Sequence, residues 1–422
     1  MRNWLHLLLI LPTLVYAEEF SFDISSYEKK KFEWGGYLEG ILEYNHLNDK
    51  SALYNLNFPD GKNPDSIKRV LATAELEGLY RFNLSNLNFR GHATASDDYF
   101  GREYQTDIYE LYYAANPNDQ FNVEVGKRII KWGKGYAWSP VGFIERPKDP
   151  NDPDLSREGF IIAGADLIQS YDGPLKTLSF TPVVLPVSDD INEDYSSQND
   201  INIAGKLYLL YRDTDIDFLF LNDASRSARI GVDFSRNITA NFELHGEFSY
   251  IDKQTIANID AQNQLSIDQK SVVRSLFGIR YLTKSDITWI AEYYHNGAGQ
   301  SKTQLQRFYT LAKSDPIASP TLYELANKAR LAGYAAPNAG QDYLYIRTSK
   351  KDTFDIVYLS TGITSIININ DRSFSLAPEL VYTDFTNTES RLRFILLQGD
   401  TNTEFGEKQN AFKIEFRFRY YI

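Results

Sequence analysis

Apolar and polar side chains alternate with a period of two along almost the whole chain. From Phe32 to Tyr44 the even positions read Phe32, Trp34, Gly36, Leu38, Gly40, Leu42 and Tyr44, and the odd positions include Glu33, Glu39 and Glu43. Successive side chains of a strand point to opposite faces, so this segment has one apolar and one ionised face. Further on, Phe242, Leu244 and Phe248 alternate with Glu243, His245 and Glu247. The last segment sets Phe412, Ile414, Phe416, Phe418 and Tyr420 against Lys413, Glu415, Arg417 and Arg419. Weaker copies predict strands near 67–83, 87–97, 105–116, 120–131, 160–171, 174–185, 201–212, 215–222, 227–236, 269–283, 286–295, 341–350, 353–369, 372–385 and 389–399. The total is about eighteen, or sixteen if one pair merges. Many run to ten residues or more, where soluble sheets favour five or six.

The connections alternate as well. Tight turns are expected at Ser85-Asn86, 116–119, Asp172-Gly173, Asp213-Thr214, Arg236-Asn237, Lys284-Ser285 and 350–352, with longer polar segments at 46–66, 132–159, 186–200, 253–268 and 296–340. Short turns on one side and long loops on the other predict an all-β, transmembrane, antiparallel up-and-down barrel over 32–422, with both termini on the short-turn side. Period two alone does not say which face is wet. Three features favour lipid outside: many charges on the polar face, aromatics near strand ends, and a leader sequence. Unpaired strand edges cannot exist in hydrocarbon, so the sheet must close. At this strand number side chains cannot fill the interior, and a water-filled lumen is expected. The candidate lining residues on the walls are Glu39, Glu43, Glu75, Glu77, Arg81, Arg90, Glu243, His245, Glu247, Arg274, Arg280, Arg391, Arg393 and Arg417.

Residues 1–17 read as a signal peptide: Arg2, an apolar run from Leu5 to Val15, and small residues at Val15 and Ala17. The run is shorter than the ~20 residues a spanning helix needs. Residues 18–31 form a short N-terminal periplasmic extension. The chain has no cysteine, which removes disulfides, thiolate metal sites and a cysteine nucleophile together. Export without cysteine points to the Gram-negative outer membrane. A net charge of −12 argues against nucleic acid as a partner and suggests a mild preference for cations in the lumen.

Two loops carry their own signals. In 132–160, Gly133, Gly135 and several prolines interrupt any strand, yet Trp132, Tyr136, Trp138, Val141, Phe143 and Ile144 are too apolar for a loop in water. The expectation is a loop folded into the lumen, with Lys134, Glu145, Arg146, Lys148 and Asp149 setting local charge. In 296–340, Leu305, Phe308, Tyr309 and Ala312 share helical spacing. So do Leu322, Leu325, Ala326, Ala329 and Leu331 after Pro320, predicting a helical extracellular loop. An enzyme would need a nucleophile, a histidine and an acid brought together, and no such motif is evident. His245 flanked by Glu243 and Glu247 is a thin basis for a metal site. No cofactor, metal or catalytic residue is assigned.

The barrel pattern and the aromatic C-terminal strand resemble Gram-negative porin-type outer-membrane proteins over essentially the whole mature chain. The stretch Gly126-Lys127-Arg128, Trp132-Gly133-Lys134-Gly135-Tyr136, Trp138-Ser139-Pro140 is similar to a motif of porin-like barrels with unassigned substrate. The resemblance implies presentation of the last strand to the barrel-assembly machinery, although the chain ends in Ile422 where such proteins carry Phe. The expected function is passive diffusion of small hydrophilic solutes. The alternative is a barrel scaffold or sheath for a partner envelope protein, an electron conduit or export machinery. The apolar outer face serves lipid and neighbouring subunits alike, so monomer and homotrimer both stay open.

Overall fold

The computed structural model describes residues 30–59, 64–153 and 155–422. The expected signal peptide, residues 18–29 of the extension and Asp154 lie outside them. Eighteen strands follow in order: β1 (Phe32–Leu47), β2 (Ser66–Arg81), β3 (Ser85–Asp98), β4 (Gly101–Asn118), β5 (Phe121–Arg128), β6 (Phe160–Ser170), β7 (Leu175–Val187), β8 (Asp200–Tyr211) and β9 (Thr214–Leu221). The second half comprises β10 (Arg229–Thr239), β11 (Phe242–Ile259), β12 (Leu265–Leu282), β13 (Ile287–Asn296), β14 (Asp342–Lys350), β15 (Leu359–Asn368), β16 (Phe374–Tyr382), β17 (Thr388–Gln398) and β18 (Asn410–Tyr421). Every strand pairs antiparallel with its neighbours in sequence, and β1 pairs with both β2 and β18. Gly40 therefore faces Ala72 on one side and Phe418 on the other, and no sheet edge is left open.

The two faces differ as the alternation requires. In β18, Phe416 and Phe418 are 42% and 43% exposed on the outside, while Glu415 and Arg417 are 4% and 6% exposed inside. Phe248 and Tyr250 of β11 look outward, and His245, Glu247 and Ser249 are buried inward. A soluble barrel would show the reverse, because its only dry compartment is its centre.

Several boundaries move. The expected loop 253–268 is mostly strand: β11 and β12 continue as a hairpin whose turn is only 260–264. At its tip the hairpin packs Ala257, Ile259 and Leu265 against the helices described below instead of presenting an apolar face outward, so the alternation of the lower barrel does not continue. A register shift between Ile251 and Gln254, with Lys253 at φ 49°, also breaks the count. β10 continues through Arg236 and Asn237 to Thr239, which moves the turn to 240–241, and Ser85-Asn86 opens β3 after a turn at Phe82–Leu84. The connection between β3 and β4 is a tight turn at Tyr99-Phe100. Residues 353–358 belong to a turn rather than a strand, with Asp352, Phe354, Asp355 and Tyr358 all at positive φ. The 399–409 loop had no sequence signal beyond polarity.

Among the described residues three α-helices cover the long-loop end of the barrel: α1 (Ala52–Asn57), α2 (Lys302–Ala312) and α3 (Pro320–Ala329). Ser301 and Gln304 close α2 with a reciprocal capping box, and Pro320 occupies the first turn of α3. Leu305, Phe308 and Tyr309 bury against Ala52 and Leu56 of α1, Ala326 and Ala329 of α3, and Ile259 at the β11 tip. Leu331 is instead 84% exposed, beyond the end of α3. The helical loop is thus a lid built on the hairpin tip.

Candidate functional site

Between β5 and β6 the chain enters the barrel and crosses it. The first anchor is a pair of wall carboxylates that accept backbone N–H groups. Glu247 accepts from Lys134 and Gly135 at 2.6 Å each and from Val141 at 3.2 Å. Glu292 accepts from Tyr136 at 2.5 Å and Ala137 at 2.9 Å. Both carboxylates are buried, and five N–H donors replace the water they have lost. The glycines follow from this closeness. Gly133 sits at φ +90°, and a Cβ there would lie 2.6 Å from a Glu247 oxygen; one on Gly135 would lie 2.3 Å from the Trp138 carbonyl.

Side chains secure the same contact. Lys134 reaches Asp217 at 2.8 Å and Asp233 at 3.8 Å. Trp138 stacks on Tyr294 with centroids 4.9 Å apart and meets Tyr343 and Tyr345 of β14. Trp132, Val141, Phe143 and Ile144 pack on inward-facing Phe160, Ile162, Val183, Leu185, Leu219 and Leu221 of β6, β7 and β9. That apolar inner wall explains a loop too greasy for water. The second anchor lies across the lumen, where Asp152 meets Arg417 at 3.0 Å, Arg391 at 3.4 Å and Arg393 at 3.8 Å.

Between the loop and the β1–β2 and β16–β18 wall remains a cavity of about 590 Å³. Four carboxylates (Glu43, Asp149, Asp152 and Glu415) and five cations (Arg69, Arg393, Lys408, Lys413 and Arg417) line it. The acid excess of the whole chain does not extend to the lining of this cavity. Its charges hold one another, with Lys413 3.2 Å from Glu43 and 2.8 Å from Glu415; elsewhere on the same wall Glu39 binds Arg419 at 2.6 Å.

No family model matches the chain, and no curated protein matches it. Among solved structures it is similar to Wzi of Escherichia coli, described as a carbohydrate-binding β-barrel involved in group 1 capsule assembly (9% identity over 94% of this chain and 85% of that one, TM-score 0.53). It is also similar to OccAB1 of Acinetobacter baumannii (10% identity, 92% and 96% covered, TM-score 0.53). A third is OccK11 of Pseudomonas aeruginosa (9% identity, 92% and 95% covered, TM-score 0.52). The chain has the porin-type barrel fold.

Within that fold the sequence-selected residues fall into distinct places. His245 lies under the loop, 3.0 Å from Glu292 and 3.5 Å from Glu243, with the Tyr136 ring beside it at 5.4 Å. Glu247, Glu243 and His245 therefore face inward, but His245 and Glu247 are covered rather than bathed, and Glu247 turns to the loop backbone rather than to His245. Toward the short-turn end Arg81 pairs with Glu33 at 2.7 Å, and Arg90 with Glu77 at 2.8 Å and Glu75 at 3.7 Å. Arg280 remains half exposed, 3.9 Å from Glu243. Within the loop, Arg146 binds Glu158 and Asp194, and Lys148 donates to the Gly135 carbonyl. Asp149 accepts the Asn151 N–H at 2.9 Å. Glu145 lies 3.4 Å from Arg157, and burial pushes its carboxyl up despite the pull of Lys148 and Arg157. Arg274 lines a separate cavity described below. From the sequence Asp233 and Glu292 read as polar-face charges and Asp152 as a loop charge, without their partners; Asp217 and the inward tyrosines were missed. Tyr343 and Tyr345 could have been found from their period-two spacing with Arg347, but aromatics on a barrel strand read first as lipid-facing.

Proposed function

We propose that this protein is a passive channel of the Gram-negative outer membrane for small hydrophilic solutes. The carrying observation is a closed barrel, apolar outside and ionised inside, whose own loop narrows the lumen to a charged passage beside it. Such a wall fits lipid contact along the outer face, and the alternating last strand fits delivery by the barrel-assembly machinery after removal of a 1–17 leader. Passage would run down a gradient with no chemistry catalysed. Paired charges of both signs around the 590 Å³ cavity would favour small polar solutes over apolar ones. The sheath alternative is weakened by the same loop, because a lumen crossed from wall to wall has no room for a threaded partner protein. Reconstitution into liposomes tests the proposal. Swelling in small sugars and amino acids, falling with solute size, is expected; liposomes that stay impermeable with correctly folded protein would overturn it.

A further inference from the structure

The lumen is dense with ion pairs, and one group of arginines stands apart from them. Arg229 of β10, Arg274 of β12 and Arg226 of the preceding loop jointly border two adjoining cavities, of about 240 and 510 Å³. Arg391, Arg393, Arg417 and Arg419 each hold a carboxylate, whereas among the described residues none of these three makes an ion pair. The Nε atoms of Arg229 and Arg274 are buried without a hydrogen-bond partner. Arg226 is fixed by its Nε donating to the Tyr195 carbonyl at 2.7 Å and by the Tyr195 ring beneath it at 3.6 Å. Of the acids nearby, Asp194 is held by Arg146 and Asp223 lies 3.8 Å from Lys253, while Glu145, on the border of the smaller cavity, lies 3.4 Å from Arg157 with neither oxygen hydrogen-bonded.

A second feature points the same way. Trp138, nine-tenths buried on the border of the smaller cavity, has an indole N–H with no acceptor. Buried donors without partners are costly, and several converging on one space mark a place for an acceptor.

We propose that this cavity binds a soluble tetrahedral oxyanion, a phosphate or sulfate group free or carried on a small polar molecule. One carboxylate has two oxygens and saturates one guanidinium fork. Three forks and an indole N–H call for the three or four acceptor oxygens of a tetrahedral dianion. Trp138, Phe160 and Tyr294 offer an apolar flank for the rest of an ester. A lipid phosphate is not the source, since Arg229 and Arg274 lie on the inner face with the strand wall between them and lipid.

The assignment takes its role as a solute site from the channel reading, but its test does not need conduction. Detergent-solubilised full-length protein is titrated calorimetrically with inorganic phosphate and with sulfate at pH 8, with acetate and nitrate at matched ionic strength as planar comparators. Saturable one-to-one binding of phosphate or sulfate is expected, at least tenfold weakened in R229Q and R274Q and unchanged in R102Q, an exposed extracellular arginine. Heat-modifiable gel migration verifies that each variant folds. Acetate binding as tight as phosphate would overturn the tetrahedral assignment. Absence of saturable binding, or equal binding by R229Q and wild type, would overturn the site. Binding without channel activity would instead sink the channel reading alone.

Discussion

Glu247 is the residue on which the loop's position turns. A carboxylate on a barrel wall is ordinarily a solvated charge, but here its three N–H contacts make it part of the loop's backbone structure. Replacement by alanine leaves three buried donors unpaired, at about 1–3 kcal/mol each where water cannot follow. We expect E247A to release residues 133–141, read as faster amide exchange there with the barrel itself intact. G133A should act similarly through the clash at φ +90°. Glu145 makes a pH-dependent contribution. Its carboxyl is raised in the folded loop, so the folded state holds the proton more tightly. Stability of the docked loop is then fully present below the ordinary value of 4.5 and falls as pH rises through the window up to the raised one. Amide exchange of 142–150 should quicken across that window, and E145Q should abolish the change.

At the scale of elements, the strands were legible because burial on one face writes itself as period two. β1, β11 and β18 announced themselves; the upper halves of β11 and β12 did not, since a register shift between Ile251 and Gln254 breaks the count and their apolar residues meet the helices there. α2 and α3 were legible through their apolar spacing, and Phe308 and Tyr309 landed in the lid's core as spaced, whereas α1 lies in a segment that read only as a long polar loop. The inward loop showed only as a contradiction, aromatic side chains in a segment that prolines and glycines keep from forming a strand. Its partners were not legible, because Glu247, Glu292 and the arginines that meet Asp152 look like any other lumenal charge until the loop is seen to lie on them. The lid and the loop are separate units. F308A, which empties a fully buried site at a cost of about 3–5 kcal/mol, should expose 302–334 to protease. It should leave the exchange of 133–141 unchanged.

For the whole molecule, closure and inside-out polarity would set what passes through the proposed channel, while local pairing would set preference. The passage beside the loop carries nearly balanced charge, so the net −12 of the chain is a poor guide to selectivity. Reversal potentials in a salt gradient should show weak selectivity in the wild type. K413Q should shift them toward cations, by removing a positive group that now screens Glu43 and Glu415.

Single-channel recording in planar bilayers, with wild type and a 136–153 deletion side by side, addresses the channel itself. Discrete ohmic steps for the wild type and steps several-fold larger for the deletion are predicted. A folded wild type that stays silent, or a deletion with unchanged conductance, would contradict a passage running beside an inward loop.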